Sequence, residues 1–174
     1  MEVARLSHRQ FMDNVCARRK YLVTDKELND CATELLGVCK YHLSPGYILA
    51  IANFANAFYI ANTSKTHKSR GFLIGDIDDK TKRAFIYTLC SANGNGIGTM
   101  LVDAFEAEAI KNGVKIIELE SIPSAKGFWI KRGFSEPLRT DSKTRFARIL
   151  KFVESLFKKP KCIRMKKVYS LVKK

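Results

Sequence analysis

The chain has 174 residues, of which 46% are hydrophobic, and we expect a single globular domain, residues 1–174, with a sizeable core. Its first residues carry charge at once, and it holds no run of about 18 apolar residues, so neither a secretory signal nor a membrane span is expected. The formal net charge of +14 is uneven, because residues 139–174 hold thirteen Lys or Arg against two acids. This basic C-terminal region is either a solvated face or a surface for an anionic partner such as nucleic acid.

The spacing of the cysteines and histidines indicates reduced thiols and no metal site. The chain has no Cys-x-x-Cys spacing, and its three histidines are far apart. We therefore expect no metal, reduced thiols and a cytoplasmic location; a nuclear location is the alternative, because residues 158–161 read Lys-Lys-Pro-Lys. The five cysteines are Cys16, Cys31, Cys39, Cys90 and Cys162.

Helical signals dominate the first part of the chain. Ser7 and Gln10 have the spacing of a capping box, which predicts a helix over residues 8–20. A second capping box predicts another helix at about 24–41. The apolar stretch 47–54 is ambiguous between helix and strand.

Three strands are predicted next, joined by short polar turns that make them antiparallel neighbours: residues 57–62, 71–77 and 84–91. A helical pattern at 97–112 follows, with Gly113 as its left-handed cap. Residues 114–121 then predict a strand parallel to 84–91, because a helix separates the two. The side chains of the long helix expected to face the core are Leu101, Val102, Phe105 and Ile110.

The remaining chain predicts two helices and a strand. Pro123 begins a short helix that runs to about Lys131 and ends at Gly133. An apolar stripe opposite Arg and Lys side chains predicts a basic helix before Pro160, and alternation over 163–171 predicts a last strand.

The glycine-rich loop before the long helix points to a phosphorylated ligand. It reads Asn-Gly-Asn-Gly-Ile-Gly-Thr over residues 93–99 and follows an apolar strand. A helix that begins in glycines presents free N–H groups and the positive end of its dipole to phosphate. The spacing is not the Gly-x-Gly-x-x-Gly of dinucleotide folds, and the lysine of a P-loop is missing.

A second motif narrows the identity of the expected ligand. Residues 125–134 read Ala-Lys-Gly-Phe-Trp-Ile-Lys-Arg-Gly-Phe and follow the loop after one helix and one strand. Together the two motifs resemble the GNAT superfamily of acyl-CoA-dependent N-acetyltransferases. The resemblance implies a mixed α/β (α+β) fold, whose mostly antiparallel sheet of six to seven strands is flanked by helices. A central parallel pair of strands would splay around acyl-CoA.

The resemblance also implies where acetyl-CoA would bind. Its pyrophosphate would lie on the N–H groups of residues 94–99, and its pantetheine arm would pair with strand residues 89–91. The backbone N–H of Cys90 would stabilise the oxyanion. The implied cofactor-binding residues are Leu89, Cys90, Ser91, Asn93, Gly94, Asn95, Gly96, Ile97, Gly98, Thr99, Lys126, Phe128 and Trp129.

Two residues depart from the family pattern, and the catalytic base has several candidates. Asn93 replaces the usual Arg or Gln, and Trp129 stands where many members have a Tyr that protonates the leaving thiolate. An indole N–H donates a hydrogen bond but cannot supply that proton. A base must also deprotonate the incoming ammonium. The candidates are Glu118, Glu120, Asp76 and Tyr87.

Two functions follow from these features. The first is transfer of acetyl from acetyl-CoA to a primary amine, either a small amine such as a polyamine or a protein lysine, by a monomer or homodimer. The second is a catalytically weak binding module of the same fold, which uses its basic C-terminal region to contact nucleic acid.

Overall fold

The computed structural model describes residues 2–15, 45–62, 69–91, 96–136 and 162–169. Its helices are α1 (His8–Val15), α2 (Pro45–Ala52), α3 (Ile97–Lys111) and α4 (Lys126–Lys131), and a 3-10 turn, Pro123–Ala125, leads into the last. Its strands are β1 (Glu2–Leu6), β2 (Ala57–Asn62), β3 (Ser69–Asp78), β4 (Arg83–Ser91), β5 (Ile116–Ser121) and β6 (Ile163–Val168).

The six described strands form one sheet in the order β1-β2-β3-β4-β5-β6. The sheet is antiparallel except for the parallel pair β4 and β5, which is joined through α3. The parallel register runs from Arg83↔Ile116 to Ile86↔Leu119, although β4 continues to Ser91 and β5 to Ser121. The predicted mixed, mostly antiparallel sheet with a central parallel pair is confirmed.

The chain divides into two compact units, which both contain parts of β3 and β4. The first comprises residues 1–75 with 88–108, and the second comprises residues 76–87 with 109–174. The expectation of a single domain stays a prediction.

In the first unit, aromatic side chains pack α1 against the sheet. The predicted capping box is confirmed, because Gln10 Oε1 accepts from the N–H of Ser7 at 2.8 Å and Ser7 Oγ accepts from the N–H of Gln10 at 3.2 Å. One turn later, Phe11 stacks on Phe58 with ring centroids 4.9 Å apart. The same unit has a close approach at Gly71, where an added Cβ would lie 2.8 Å from the carbonyl oxygen of Cys90.

An ionic cluster joins α3 to the first two strands. Glu108 on α3 accepts a hydrogen bond from the Tyr59 hydroxyl at 2.6 Å and pairs with Arg5 at 2.7 Å. Arg5 and Tyr59 are directly opposite each other on β1 and β2. The cluster therefore fixes the helix that follows the glycine loop to one edge of the sheet.

In the second unit, the turn between β3 and β4 also closes the end of α3. Asp78 Oδ1 accepts from the N–H groups of Lys80 and Thr81, which stabilises the turn. Lys82 donates to the carbonyl of Asn112 at 3.1 Å and accepts from the N–H of Lys115 at 2.8 Å. Gly113 has φ +74°, so the predicted left-handed cap is confirmed.

Several predicted elements change in the structure. Strand β1 was not predicted, and the ambiguous stretch 47–54 belongs largely to helix α2. Ile110 was expected in the core but is 49% exposed, because Ala109 takes the buried position on that turn of α3. The predicted helices at 24–41 and before Pro160 lie outside the described residues. Within the described ranges, no helix is long and apolar enough to span a membrane.

Candidate functional site

The start of α3 has the geometry of an anion-binding helix end. Gly96 has φ +66°, a conformation that favours glycine, and its carbonyl accepts the first helical hydrogen bond, from the N–H of Met100 at 3.0 Å. The N–H groups of residues 97–99 precede that bond and point out of the helix end. No acidic side chain lies in the first turn to oppose an anion. Ile97 and Gly98 are buried and Thr99 is half-buried, whereas Asn93, Gly94 and Asn95 lie outside the described residues.

The end of β4 places the three predicted pantetheine-binding residues next to that loop in the chain. Leu89 and Ser91 are half-buried, and Cys90 is buried. Cys90 is disulfide-bonded, whereas Cys162 is not part of a disulfide. The expectation that all five cysteines are reduced is therefore wrong for Cys90. The sequence pattern missed this pairing because the spacing of cysteines along the chain does not show which of them meet in space.

In the second unit, Glu118 is engaged by an arginine of the neighbouring strand. Arg83 Nη2 lies 2.8 Å from Glu118 Oε2, and Arg83 Nε donates to the same oxygen at 3.3 Å. Glu118 is also buried. Its carboxylate therefore forms a structural ion pair between β4 and β5.

The other three base candidates differ in their access to solvent. Asp76 is 1% exposed and Tyr87 is 7% exposed, whereas Glu120 is half-buried. Glu120 directly follows Leu119, the last residue of β5 that is in register with β4. Glu118 and Glu120 share one face of β5, as strand alternation predicts.

The motif over residues 125–134 forms a short packed helix. Lys126 pairs with Glu136 at 2.5 Å. Trp129 is 5% exposed and packs edge-on against Phe128 and Phe134, with ring centroids 4.9 and 5.2 Å apart. Its indole therefore serves the core of this unit, whereas Phe128 is only half-buried.

The register between β5 and β6 brings two cations opposite the two glutamates, which sequence reasoning did not find. Lys166 is opposite Glu118, and Arg164 is opposite Glu120. The only signal in the sequence is that both pairs are spaced by two residues, as on one face of a strand. Among the described residues, no group of three or more His, Cys, Asp or Glu side chains could hold a metal ion.

Comparison with known proteins identifies the class. The sequence model of the acetyltransferase (GNAT) family matches residues 26–134, which is more than half of the chain. Among curated proteins, no sequence matches this one. The chain therefore belongs to the acetyltransferase (GNAT) family, and its activity is that of an acetyl-CoA-dependent N-acetyltransferase.

Solved structures agree with this fold over nearly the whole chain. Tetrahymena GCN5 is 15% identical, with 98% of this chain and 97% of that chain covered and a TM-score of 0.63. Ard1 from Thermoplasma volcanium is 12% identical, with 97% of each chain covered and a TM-score of 0.60. The ribosomal-protein-S18-alanine N-acetyltransferase from Escherichia coli is 14% identical, with 99% and 97% covered and a TM-score of 0.59. At these identities the likeness shows the fold alone.

The described residues fit acetyl-CoA as the co-substrate. The glycine-led start of α3 offers N–H donors and a positive helix end to a pyrophosphate. Among the described residues, no atom lies within 4 Å of a Cβ added at Gly96, so this part of the structure leaves room for a ligand there.

Proposed function

We propose that this protein transfers the acetyl group of acetyl-CoA directly to a primary amine and that Glu120 accepts the proton of that amine. The observation that supports this most is the position of Glu120: it is the first residue of β5 after the parallel register with β4 ends. In this family fold, the reacting thioester is expected where these two strands part. Acceptors to be tested include polyamines and protein lysines.

Glu120 is favoured over the other three candidates by its surroundings. Oε2 of Glu118 already accepts two contacts from Arg83, so moving this carboxylate would break an ion pair between strands. Asp76 and Tyr87 are almost fully buried, which limits their access to an incoming ammonium. Glu120 is half-buried, so an acceptor can approach it.

The chain's own groups then have defined roles. The N–H groups of residues 97–99 hold the pyrophosphate, and the end of β4 orients the pantetheine arm. Bound acetyl-CoA supplies the activated acetyl thioester. Once Glu120 has taken one proton from the ammonium, the amine nitrogen attacks the acetyl carbon and a C–N bond forms. The C–S bond then breaks with its electron pair on sulfur, and the second nitrogen proton passes to water.

Trp129 does not supply a proton to that sulfur. Its ring is enclosed by Phe128 and Phe134, and an indole N–H does not ionise near neutral pH. A thiol has an ordinary pKa of about 8.5, so CoA can leave as the thiolate and be protonated by water.

A thiol-release assay tests the proposal. Purified protein with acetyl-CoA should release CoA only when an acceptor from a panel of polyamines, amine antibiotics and lysine peptides is added. Glu120→Gln should lower kcat by about 100-fold or more, because a positioned general base contributes about 10²–10⁴. The wild-type rate should return at high pH for an acceptor that is already deprotonated.

Asp79→Asn is the matched control, because it removes the same charge from an exposed turn residue of the same unit. It should leave kcat unchanged. CoA release that does not depend on any acceptor would contradict the activity, and an unaltered kcat in Glu120→Gln would contradict the assignment of the base.

The second candidate function is a nucleic-acid contact through the basic C-terminal region. The observation in its favour is the net charge of +11 over residues 139–174. Such a contact depends on charge more than on fold, so its affinity should fall steeply as the salt concentration rises.

A further inference from the structure

We propose that the acceptor amine carries a carboxylate beside its amino group and that Arg164 and Lys166 bind this carboxylate. The inference rests on the proposed function through Glu120. It narrows the acceptor to acidic amines and disfavours polyamines. The site consists of one face of the β5–β6 pair.

The register between β5 and β6 brings the two cations next to the proposed base. Arg164 is directly opposite Glu120, and Lys166 is opposite Glu118. Side chains at directly opposed positions lie on the same face of the sheet, with Cβ atoms about 5 Å apart. An acceptor whose nitrogen reaches Glu120 therefore places its neighbouring groups within reach of Arg164.

The charges on this face of the β5–β6 pair are unevenly paired. The carboxylate of Glu118 could have neutralised Lys166, but it pairs with Arg83 from the other side. No ion pair joins Arg164 or Lys166 to a residue in the part of the chain that the structure describes. Both cations therefore remain available to an acceptor.

The exposure and the spacing of the two cations also suit an anionic acceptor. Arg164 and Lys166 are half-buried, so their stems are supported while an acceptor can still reach their charged ends. Alternate residues of one strand lie about 7 Å apart. That distance suits two anionic groups, or one carboxylate between both cations, next to an amine held at Glu120.

The same charges discriminate between acceptors. A polyamine or a lysine flanked by basic residues would bring further positive charge to Arg164 and Lys166 without meeting a spare carboxylate there. An acidic acceptor would gain charge-assisted hydrogen bonds at the same positions. The preference for acidic acceptors therefore depends on the two cations of β6, whereas proton transfer depends on Glu120 of β5.

Three blocked peptides that contain one lysine test the proposal, with the lysine flanked by Asp, by Asn or by Arg. Free glutamate and glutamine amide, which has no carboxylate, form a second, small-molecule arm. The Asp peptide should have a kcat/KM about tenfold above that of the Asn peptide, because only the ionised Asp side chain forms charge-assisted hydrogen bonds with Arg164 and Lys166. If glutamate is used and the peptides are not, the carboxylate belongs to a small acceptor, which also supports the proposal.

The matched variants are Arg164→Glu with Lys166→Glu and, as control, Lys80→Glu. Lys80 is an exposed turn residue of the same unit, so its reversal alters net charge without changing this face. The double reversal should remove the tenfold Asp-over-Asn preference or invert it, whereas Lys80→Glu should keep it. Equal kcat/KM for all three peptides, with turnover present, would overturn the inference and leave the proposed function standing.

A binding arm separates failure of the inference from failure of the activity. Fluorescence anisotropy of the same labelled peptides on CoA-loaded protein measures recognition without turnover. If no peptide is acetylated, the proposed function fails. The anion site would still be supported if the Asp peptide binds tenfold more tightly than the Asn peptide and the double reversal removes this difference. Equal binding of the three peptides, or displacement of the Asp peptide by a single-stranded oligonucleotide at a lower concentration than by unlabelled peptide, would overturn it.

Discussion

Glu108 joins parts of the first unit that are far apart in the sequence. Its carboxylate accepts from the Tyr59 hydroxyl at 2.6 Å and pairs with Arg5 at 2.7 Å. Tyr59 is buried, and burial together with the Glu108 carboxylate raises the pKa of its phenol well above the ordinary value of about 10. The protonated phenol is therefore part of the native structure.

Tyr59→Phe should lower the free energy of unfolding by about 1–3 kcal/mol at pH 8, because it removes a hydrogen bond to a charged group. Above pH 10 the unfolded wild-type tyrosine loses its proton while the folded one keeps it, so the unfolded state binds fewer protons and wild-type stability falls with pH. The loss specific to Tyr59 reaches about 1.4 kcal/mol per pH unit, so the advantage of the wild type over the variant should shrink.

Urea unfolding of both proteins at pH 8, 9, 10 and 11 measures this difference. Glu108→Gln is the comparison variant, since it removes the negative charge that helps to keep the phenol protonated. An advantage of the wild type that stays constant across the pH range would show that Tyr59 ionises normally in the folded protein.

At the scale of elements, helix α3 is bounded by two glycines in the same left-handed conformation. Gly96 has φ +66° at its start and Gly113 has φ +74° after its end. A side chain in this region of backbone conformation costs about 1–2 kcal/mol. The two positions differ in function, because only the first lies at the helix end proposed to hold the pyrophosphate.

Gly96→Ala should therefore weaken acetyl-CoA binding several-fold, and Gly113→Ala should not, although both lower stability by a similar amount. Within the described ranges, an added Cβ at Gly96 meets no atom within 4 Å, and at Gly113 the nearest atom belongs to Lys82 at an ordinary 3.5 Å. Isothermal titration with acetyl-CoA measures the affinities, and thermal melting measures the stabilities. Equal acetyl-CoA affinities of the two variants would argue against the phosphate role of this helix start.

At the scale of the whole molecule, charge is separated along the sequence. Residues 139–174 carry a net +11 of the total +14. The described part of this region includes β6, whose cations are assigned above to an acidic acceptor. The remaining lysines and arginines of the region are the source of the alternative, nucleic-acid function.

If that alternative holds, the full chain should bind a random-sequence DNA duplex with an affinity that falls linearly on a log–log plot against salt, by about 0.9 per phosphate contact. Replacing Lys158, Lys159 and Lys161 with Glu should flatten this slope and leave acetyl transfer to a small acceptor unchanged. Filter binding from 50 to 300 mM salt measures how the DNA affinity depends on the salt concentration. A flat salt dependence would remove the nucleic-acid function, and loss of acetyl transfer in the variant would show that the two functions are not separate.

The protein class and the order of the elements around the loop could both be predicted from the sequence. Glycine spacing over residues 93–99, the motif at 125–134 and the capping box at Ser7 are local signals, which act through backbone conformation within a few residues. The parallel relation of β4 and β5 also followed from the helix between them, and the structure confirms it. Each of these inferences needed only neighbours in the chain.

The contacts between distant side chains could not be predicted from the sequence, because they depend on the three-dimensional fold. Arg83 engages Glu118 across 35 positions of sequence, and β1 becomes a strand by pairing with β2, although its own residues show no strand alternation. The placement of Arg164 opposite Glu120 depends on the register of β6, and a slip of one residue would turn every side chain of that strand to the other face. Such long-range pairings result from packing and register, which no local pattern encodes.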